Sequence, residues 1–223
     1  MKTFLIGAAG GVGRRLATLL VAQGGEVTGM HRSPEQADTI AATGATPIAG
    51  DLIADSIDEL TAKLTGHDTV VFSAGAHGTG QDKTTLIDGK GVEKTAVAAA
   101  QAGVARFVLV SAFPESERNK GLGDGYEHYI RVKKNADVYL THTDLDWLII
   151  RPGHLTDEPG TGTVTAAVAT EYAEVSRDNV AAFLAAALRE PTLHRTIVEL
   201  TNGDTPVTEA AAQVAASTGP RAQ

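Results

Sequence analysis

The chain has 223 residues and is 43% hydrophobic, enough to bury one sizeable core, so a single domain over 1–223 is expected. Nineteen basic against 27 acidic residues give a formal net charge of -8 with no basic stripe, which argues against nucleic acid or an anionic membrane as partner. There is no cysteine, which excludes disulfide frameworks and thiolate chemistry, and the first apolar stretch begins too close to Met1 for a secretory signal, so a cytoplasmic protein is expected.

Strand-like and helix-like patterns alternate along the chain. An apolar strand over 3–6 leads through glycines into a helix over 12–23, and Gly24-Gly25 separates that helix from a strand over 26–30. A helix over 34–43 is expected to start with Ser33 as N-cap and Pro34 in its first turn, and a short strand over 46–49 ends at Gly50-Asp51-Leu52. A helix over 56–64 precedes an apolar, β-branched run over 68–73 that ends in Ser73-Ala74-Gly75. A polar, glycine-containing loop and a long Ala-rich helix to Ala102 follow, stopped by Gly103. Strands over 106–111, 146–151 and 196–200, with helices over 126–143 and 178–189 between them, complete an α/β pattern of the Rossmann type, a doubly wound parallel sheet. The turn-rich run over 157–162 and weak strands over 163–175 make 153–175 a small substrate-side elaboration of the same domain. The tail is helical over 208–215, with fraying expected from 218 onward, and no apolar run approaches the roughly 18 residues of a membrane helix.

In such a sheet the strands' carboxyl ends share one edge. Gly7, His31-Arg32, Asp51, Ser73 to Gly75, Ser111 and Pro152-Gly153 are therefore expected to face one crevice. Gly7, Gly10 and Gly13 stand where the first strand becomes the first helix. A diphosphate can approach the backbone only where no Cβ intervenes, and a helix starting there offers unpaired N–H groups and a positive dipole end. Gly7, Ala9, Gly10, Gly11, Val12 and Gly13 are accordingly expected to bind a dinucleotide, with Ser73, Ala74 and Gly75 on the neighbouring strand end. The spacing G-x-x-G-x-x-G departs from the G-x-G-x-x-G of the large dehydrogenases, and a ligand-free Gly-rich turn is the bland alternative.

The end of the second strand separates NAD from NADP, because a carboxylate there binds ribose hydroxyls and a basic group accommodates a 2′-phosphate. Here it reads Met30-His31-Arg32-Ser33, with no carboxylate before Glu35. Arg32 offers a planar fork and Ser33 a hydroxyl, which favours NADP(H). Asp51 and Leu52 are candidates for the adenine, although a helix-entry Asp is an equal alternative.

Tyr129 and Lys133 are spaced i,i+4 and so share a helix face. A nearby ammonium would lower the phenol's pKa and ready it for proton exchange with a carbonyl/alcohol couple, while the same lysine can bind the nicotinamide ribose. Ser111, at the end of its strand, can orient the substrate oxygen. Tyr126, three residues earlier, is a competitor for the proton-donor role.

With these residues in place the chain resembles a short, atypical member of the short-chain dehydrogenase/reductase superfamily, in the group that includes NmrA-like and biliverdin-reductase-B-like proteins. The carrying stretches are Gly7 to Gly13, Arg32-Ser33-Pro34-Glu35, Gly50-Asp51-Leu52, Val110-Ser111, Tyr129 to Lys133 with Ala136-Asp137, and the run from Leu145 through Arg151-Pro152-Gly153-His154 to Gly160. The resemblance implies that Lys133 and the Pro152-Gly153 backbone contact the nicotinamide half, and that Ser111, Tyr129 and Lys133 are the catalytic set. The superfamily's catalytic asparagine has no counterpart here.

Other chemistries lack their residues. Seven scattered histidines with no H-E-x-x-H argue against a metal site, and Ser111 lacks the G-x-S-x-G elbow of a hydrolase. The sequence points to an NADP(H)-dependent oxidoreductase acting on a small carbonyl or conjugated acceptor, as a monomer or weak homo-oligomer. The alternatives are a cofactor-sensing regulator without turnover, and an epimerase-like enzyme, for which the region after Gly153 leaves little room.

Overall fold

The structure is a computed structural model that describes residues 1–76, 78–117 and 120–218. Its first half alternates strand and helix: β1 (Lys2–Ile6), α1 (Gly11–Ala22), β2 (Glu26–His31), α2 (Glu35–Ala41), β3 (Thr46–Ala49), α3 (Ile57–Leu64) and β4 (Thr69–Phe72). One helical rod follows in three pieces: α4 (Gln81–Thr84), a π-helical segment (Thr85–Lys90) and α5 (Gly91–Gln101). The second half comprises β5 (Arg106–Val110), α6 (Asp124–Thr141), β6 (Asp146–Pro152), β7 (His154–Thr156), β8 (Thr163–Ala167), β9 (Glu174–Ser176), α7 (Arg177–Ala187), β10 (Thr196–Asn202), β11 (Thr205–Pro206) and α8 (Val207–Thr218).

Nine strands form one sheet in the order β11-β8-β10-β6-β5-β4-β1-β2-β3, and β7 pairs with β9 in a separate two-stranded sheet. From β10 to β3 every pairing is parallel. This part has the expected doubly wound Rossmann order, with the reversal between β1 and β4. The structure adds an antiparallel edge. β8, expected as a weak strand of the elaboration, instead pairs with β10 from Glu199↔Ala167 to Asn202↔Val164, and β11 pairs with β8.

The pleat sends alternate residues to the two faces. Phe4, Ile6, Phe107 and Leu109 meet Leu60 of α3 and Leu140 of α6 on one side. Leu5, Val108 and Val110 meet Leu16 of α1 and Phe183 of α7 on the other. All of these side chains except Val110 are fully buried, and it is 9% exposed, so both layers are closed around the parallel sheet.

Two local expectations are corrected. Ser33 does not cap α2 with its side chain; Pro34 already has helical backbone (φ -55°), and the N–H groups of Arg32 and Ser33 donate to Gln36 Oε1 at 3.0 and 3.3 Å. The Ser33 hydroxyl serves the neighbouring Glu35 carboxylate and helps hold its pKa below the ordinary value. The helix expected to run uniformly to Ala102 contains the π-helical segment, which carries the buried Asp88. Of the fraying expected from Thr218 onward, Thr218 is the last residue of α8 and the remainder falls outside the described residues. Among the described residues no helix is long and apolar enough to cross a membrane, and no cluster of His, Asp and Glu side chains could hold a metal ion.

Candidate active site

The β1-to-α1 turn closes on itself. Gly7 takes φ 81°, and a Cβ there would stand 2.7 Å from the Ser73 carbonyl and the Ala74 nitrogen at the end of β4. A Cβ on Gly13 would overlap the Gly7 carbonyl oxygen, so Gly13 is required for helix and turn to meet. Gly10 is different: only the Gly7 oxygen, at 3.1 Å, lies near its Cβ direction, and the residue borders open space on both sides. α1 starts there with no side-chain cap and no acidic residue in its first turn. Bare main chain at a helix N-terminus suits a diphosphate, and the residues present fit that group.

Two cavities meet at this turn and share Gly10, Ser73, Ala74 and Gly75 as walls, forming one groove. The first, of about 200 Å³, is bordered by Gly7, Ala9, Arg32, Gln36, Asp51 and Leu52. Asp51 also accepts from the Ile53 N–H at 2.7 Å, so its carboxylate shapes the turn after β3. The second, of about 520 Å³, is bordered by Gly11, Val12, Ser111, Tyr126, Tyr129 and Lys133, joined by Asp88, Leu155 and Arg177.

The sequence-chosen residues divide accordingly. Gly7, Ala9, Gly10, Gly11, Val12, Arg32, Asp51, Leu52, Ser73, Ala74, Gly75, Ser111, Tyr129 and Lys133 line the groove. Gly13, Ser33, Pro152 and Gly153 do not. Pro152 is buried, and Gly153 donates to the Leu200 carbonyl at 2.9 Å, with the Ala173 carbonyl filling its Cβ position. Pro152 and Gly153 thus make contacts with β10 and Ala173 and do not border these two cavities.

Two ion pairs stand behind Ser111. Lys133, 3% exposed, donates to the Val110 carbonyl at 2.9 Å and lies 3.7 Å from Asp88 Oδ1; the other Asp88 oxygen accepts from the Ala76 N–H at 2.9 Å. Asp137, 2% exposed, takes the Arg151 guanidinium at 2.9 Å and accepts from the Ser111 hydroxyl at 2.5 Å. Burial pushes the Asp137 carboxyl above its ordinary pKa, against the opposing Ser111 hydrogen bond and Arg151 charge. Ser111 has one hydroxyl proton and gives it to Asp137, so it offers the groove lone pairs only.

Tyr129 departs from expectation. Its phenol is pushed above the ordinary tyrosine value, first by burial and then by the Asp88 charge. The lysine expected to lower that value is held by Asp88 and the Val110 carbonyl, so the i,i+4 spacing does not couple the two as anticipated. Around the phenol stand Tyr126, with ring centroids 6.3 Å apart, and Tyr172, which packs edge-on against Phe113 at 5.2 Å. Tyr126 is tied to the Ser116 hydroxyl at 2.8 Å.

Sequence reasoning did not assign Asp88, Arg177 or Gln36 to the groove. Asp88 carries no local signal. Arg177 carries one, a cation in the first turn of a helix, where the dipole disfavours it.

The comparisons with known proteins agree with this geometry. The NAD(P)H-binding family matches residues 7–191, and the chain belongs to it. A Bacillus subtilis (strain 168) protein named uncharacterized sugar epimerase YhfK is 41% identical over 212 residues, spanning 94% of this chain and 98% of its own length. A Bacillus halodurans structure described as an NAD-dependent epimerase/dehydratase superposes with a TM-score of 0.88 at 33% identity, covering 96% of this chain and 99% of that one. The Lactococcus lactis oxidoreductase ylbE gives a TM-score of 0.85 at 26% identity, with both chains covered in full. The NAD(P)-binding family expected from the sequence is thereby shown.

Proposed function

We propose that this member of the NAD(P)H-binding family is an NADP(H)-dependent reductase of small carbonyl or conjugated acceptors. The observation that carries the reading is the continuity of the groove. A small, partly basic cavity beside Arg32 runs past the bare start of α1 into a larger cavity holding Ser111, Tyr129 and Lys133. Arg32 and Gln36 would receive the 2′-phosphate, Leu52 would cover the adenine, and Gly10 to Val12 would hold the diphosphate. The Lys133 ammonium would hold the nicotinamide ribose. When bound, the nicotinamide supplies the hydride.

The chain's own contribution is orientation and a proton. Burial and then Asp88 keep Tyr129 protonated, so it holds a proton that an acceptor oxygen can take as the hydride arrives, as a weaker acid than a free tyrosine. Ser111, its own proton held by Asp137, would accept from the hydroxyl that reduction creates on that oxygen, with Asp137 and Arg151 locking its rotor. Tyr126 and Tyr129, which border the larger cavity, favour a flat, conjugated acceptor, and that cavity is within the range of small-molecule sites. The name of the Bacillus subtilis relative supports a second reading, sugar epimerisation. That chemistry requires a base to take a hydroxyl proton, a role the neutral phenol serves poorly.

Titration with NADPH and NADH tests the cofactor, and a screen of quinones, flavins, aldehydes and ketones tests the chemistry. NADPH should bind more tightly, with Arg32→Ala erasing about tenfold or more of the difference. Tyr129→Phe should cut turnover of the best acceptor by about 10²-fold or more while leaving NADPH binding intact. Equal affinities would remove the NADP assignment. Tight NADPH binding without turnover of any acceptor would overturn the reductase reading in favour of a cofactor sensor.

A further inference from the structure

Arg177 opens α7, capped by the Ser176 hydroxyl, with its charge facing the positive end of its own helix. Its stem lies across the glycine turn: a Cβ on Gly11 would stand 2.6 Å from Arg177 Cδ and 2.9 Å from Nε. The guanidinium reaches the Asp157 carboxylate at 3.0 Å and donates to the Leu155 carbonyl at 3.5 Å. Asp157 is 70% exposed and divides its charge with Arg15 at 3.5 Å, so its hold on Arg177 is a weak surface pair.

The electrostatics of the groove give this arginine a task. A dinucleotide diphosphate brings two negative charges to a chain whose formal net charge is already -8, and the turn from Gly7 to Gly13 contains no basic residue. Among the described side chains bordering the larger cavity, Lys133 and Arg177 are the cationic ones. The charge of Lys133 is matched by Asp88 and one of its N–H groups goes to the Val110 carbonyl, which leaves it an N–H for the ribose but no unmatched charge for a diphosphate. Arg177 is 26% exposed, shares the cavity wall with Gly10, Gly11 and Val12, and carries a fork matched to phosphate oxygens.

We propose that Arg177 clamps the cofactor diphosphate against the glycine turn, exchanging the Asp157 carboxylate for a phosphate, so that Asp157 acts as a built-in competitor for the site. The inference rests on the reading of the groove as a dinucleotide site and adds the group that neutralises the diphosphate.

Calorimetric titration of the full chain with NADP⁺, and with adenosine 2′-monophosphate, which lacks the diphosphate, tests it. Arg177→Met should weaken NADP⁺ by about tenfold or more and flatten the dependence of its affinity on salt, while binding of adenosine 2′-monophosphate stays unchanged. Arg177→Lys, which keeps the charge and loses the fork, should fall between the two, and Asp157→Asn should tighten NADP⁺ several-fold. Unaltered NADP⁺ affinity in Arg177→Met would overturn the clamp, as would an equal loss of both ligands. Failure of the unsubstituted protein to bind NADP⁺ at all would instead remove the dinucleotide reading, and the clamp with it.

Discussion

At the glycine turn the groove is walled by main chain and small side chains, and a Cβ at Gly7 or Gly13 would strike backbone. Around Ser111 it is walled by side chains that carry charge, with Lys133 on Asp88, and is backed by Arg151 on Asp137, the four drawn from the π-helical segment, α6 and β6. The first region depends on missing atoms and the second on atoms that are present and paired. The two ends should therefore fail in opposite ways: the turn is damaged by addition and the charged end by removal.

The largest effect is expected where a charge is orphaned. Lys133→Met would leave Asp88 buried without its cation and should cost about 3–5 kcal/mol in denaturant unfolding. Adding Asp88→Asn to the same chain should return a substantial part of that loss. Equal stability of the single and double variants would show that the pair does not hold this end together. At the turn, Gly13→Ala should cost about 1–3 kcal/mol and abolish measurable NADPH binding, because the new methyl group must displace the Gly7 carbonyl. A Gly13→Ala protein that melts and binds like the unsubstituted chain would erase the contrast between the two regions.

The smallest effect concerns protons. Because the folded Tyr129 keeps its proton to higher pH than an unfolded tyrosine, which titrates near about 10, its contribution to stability is complete below that pH and declines above it as the unfolded chain ionises first. In a tyrosinate absorbance titration, Tyr129→Phe should remove amplitude only from the most alkaline part of the curve. Amplitude lost near about pH 10 would mean that burial and Asp88 do not raise the phenol, and amplitude lost well below it would mean that Lys133 governs it.

The same division explains what could be read from residue order. The turn was legible because its glycines, the strand before them and the helix after them are neighbours in the chain, and helical and extended periods marked the parallel strands for the same reason. The choice of Ser111, Tyr129 and Lys133 as groove residues followed from strand ends and helix faces. Their electrostatics did not, because Asp88 reaches Lys133 only after β4, the π-helical segment and α6 have assembled. The carbonyls of Leu200 and Ala173 that pack around Gly153 come from distant parts of the chain, so residue order gives no sign of them. β8 eluded assignment to the main sheet since nothing in its five residues distinguishes a partner in the small sheet from one in the large.

The two outermost strands of the main sheet have a consequence for the protein in crowded solution. β3, at one margin, is four residues long and contains Pro47; β11, at the other, is two residues long and ends in Pro206. Each proline removes a main-chain donor from a rim that would otherwise invite strand addition by a neighbouring molecule. The broad β surface is thereby guarded at both borders against templated aggregation.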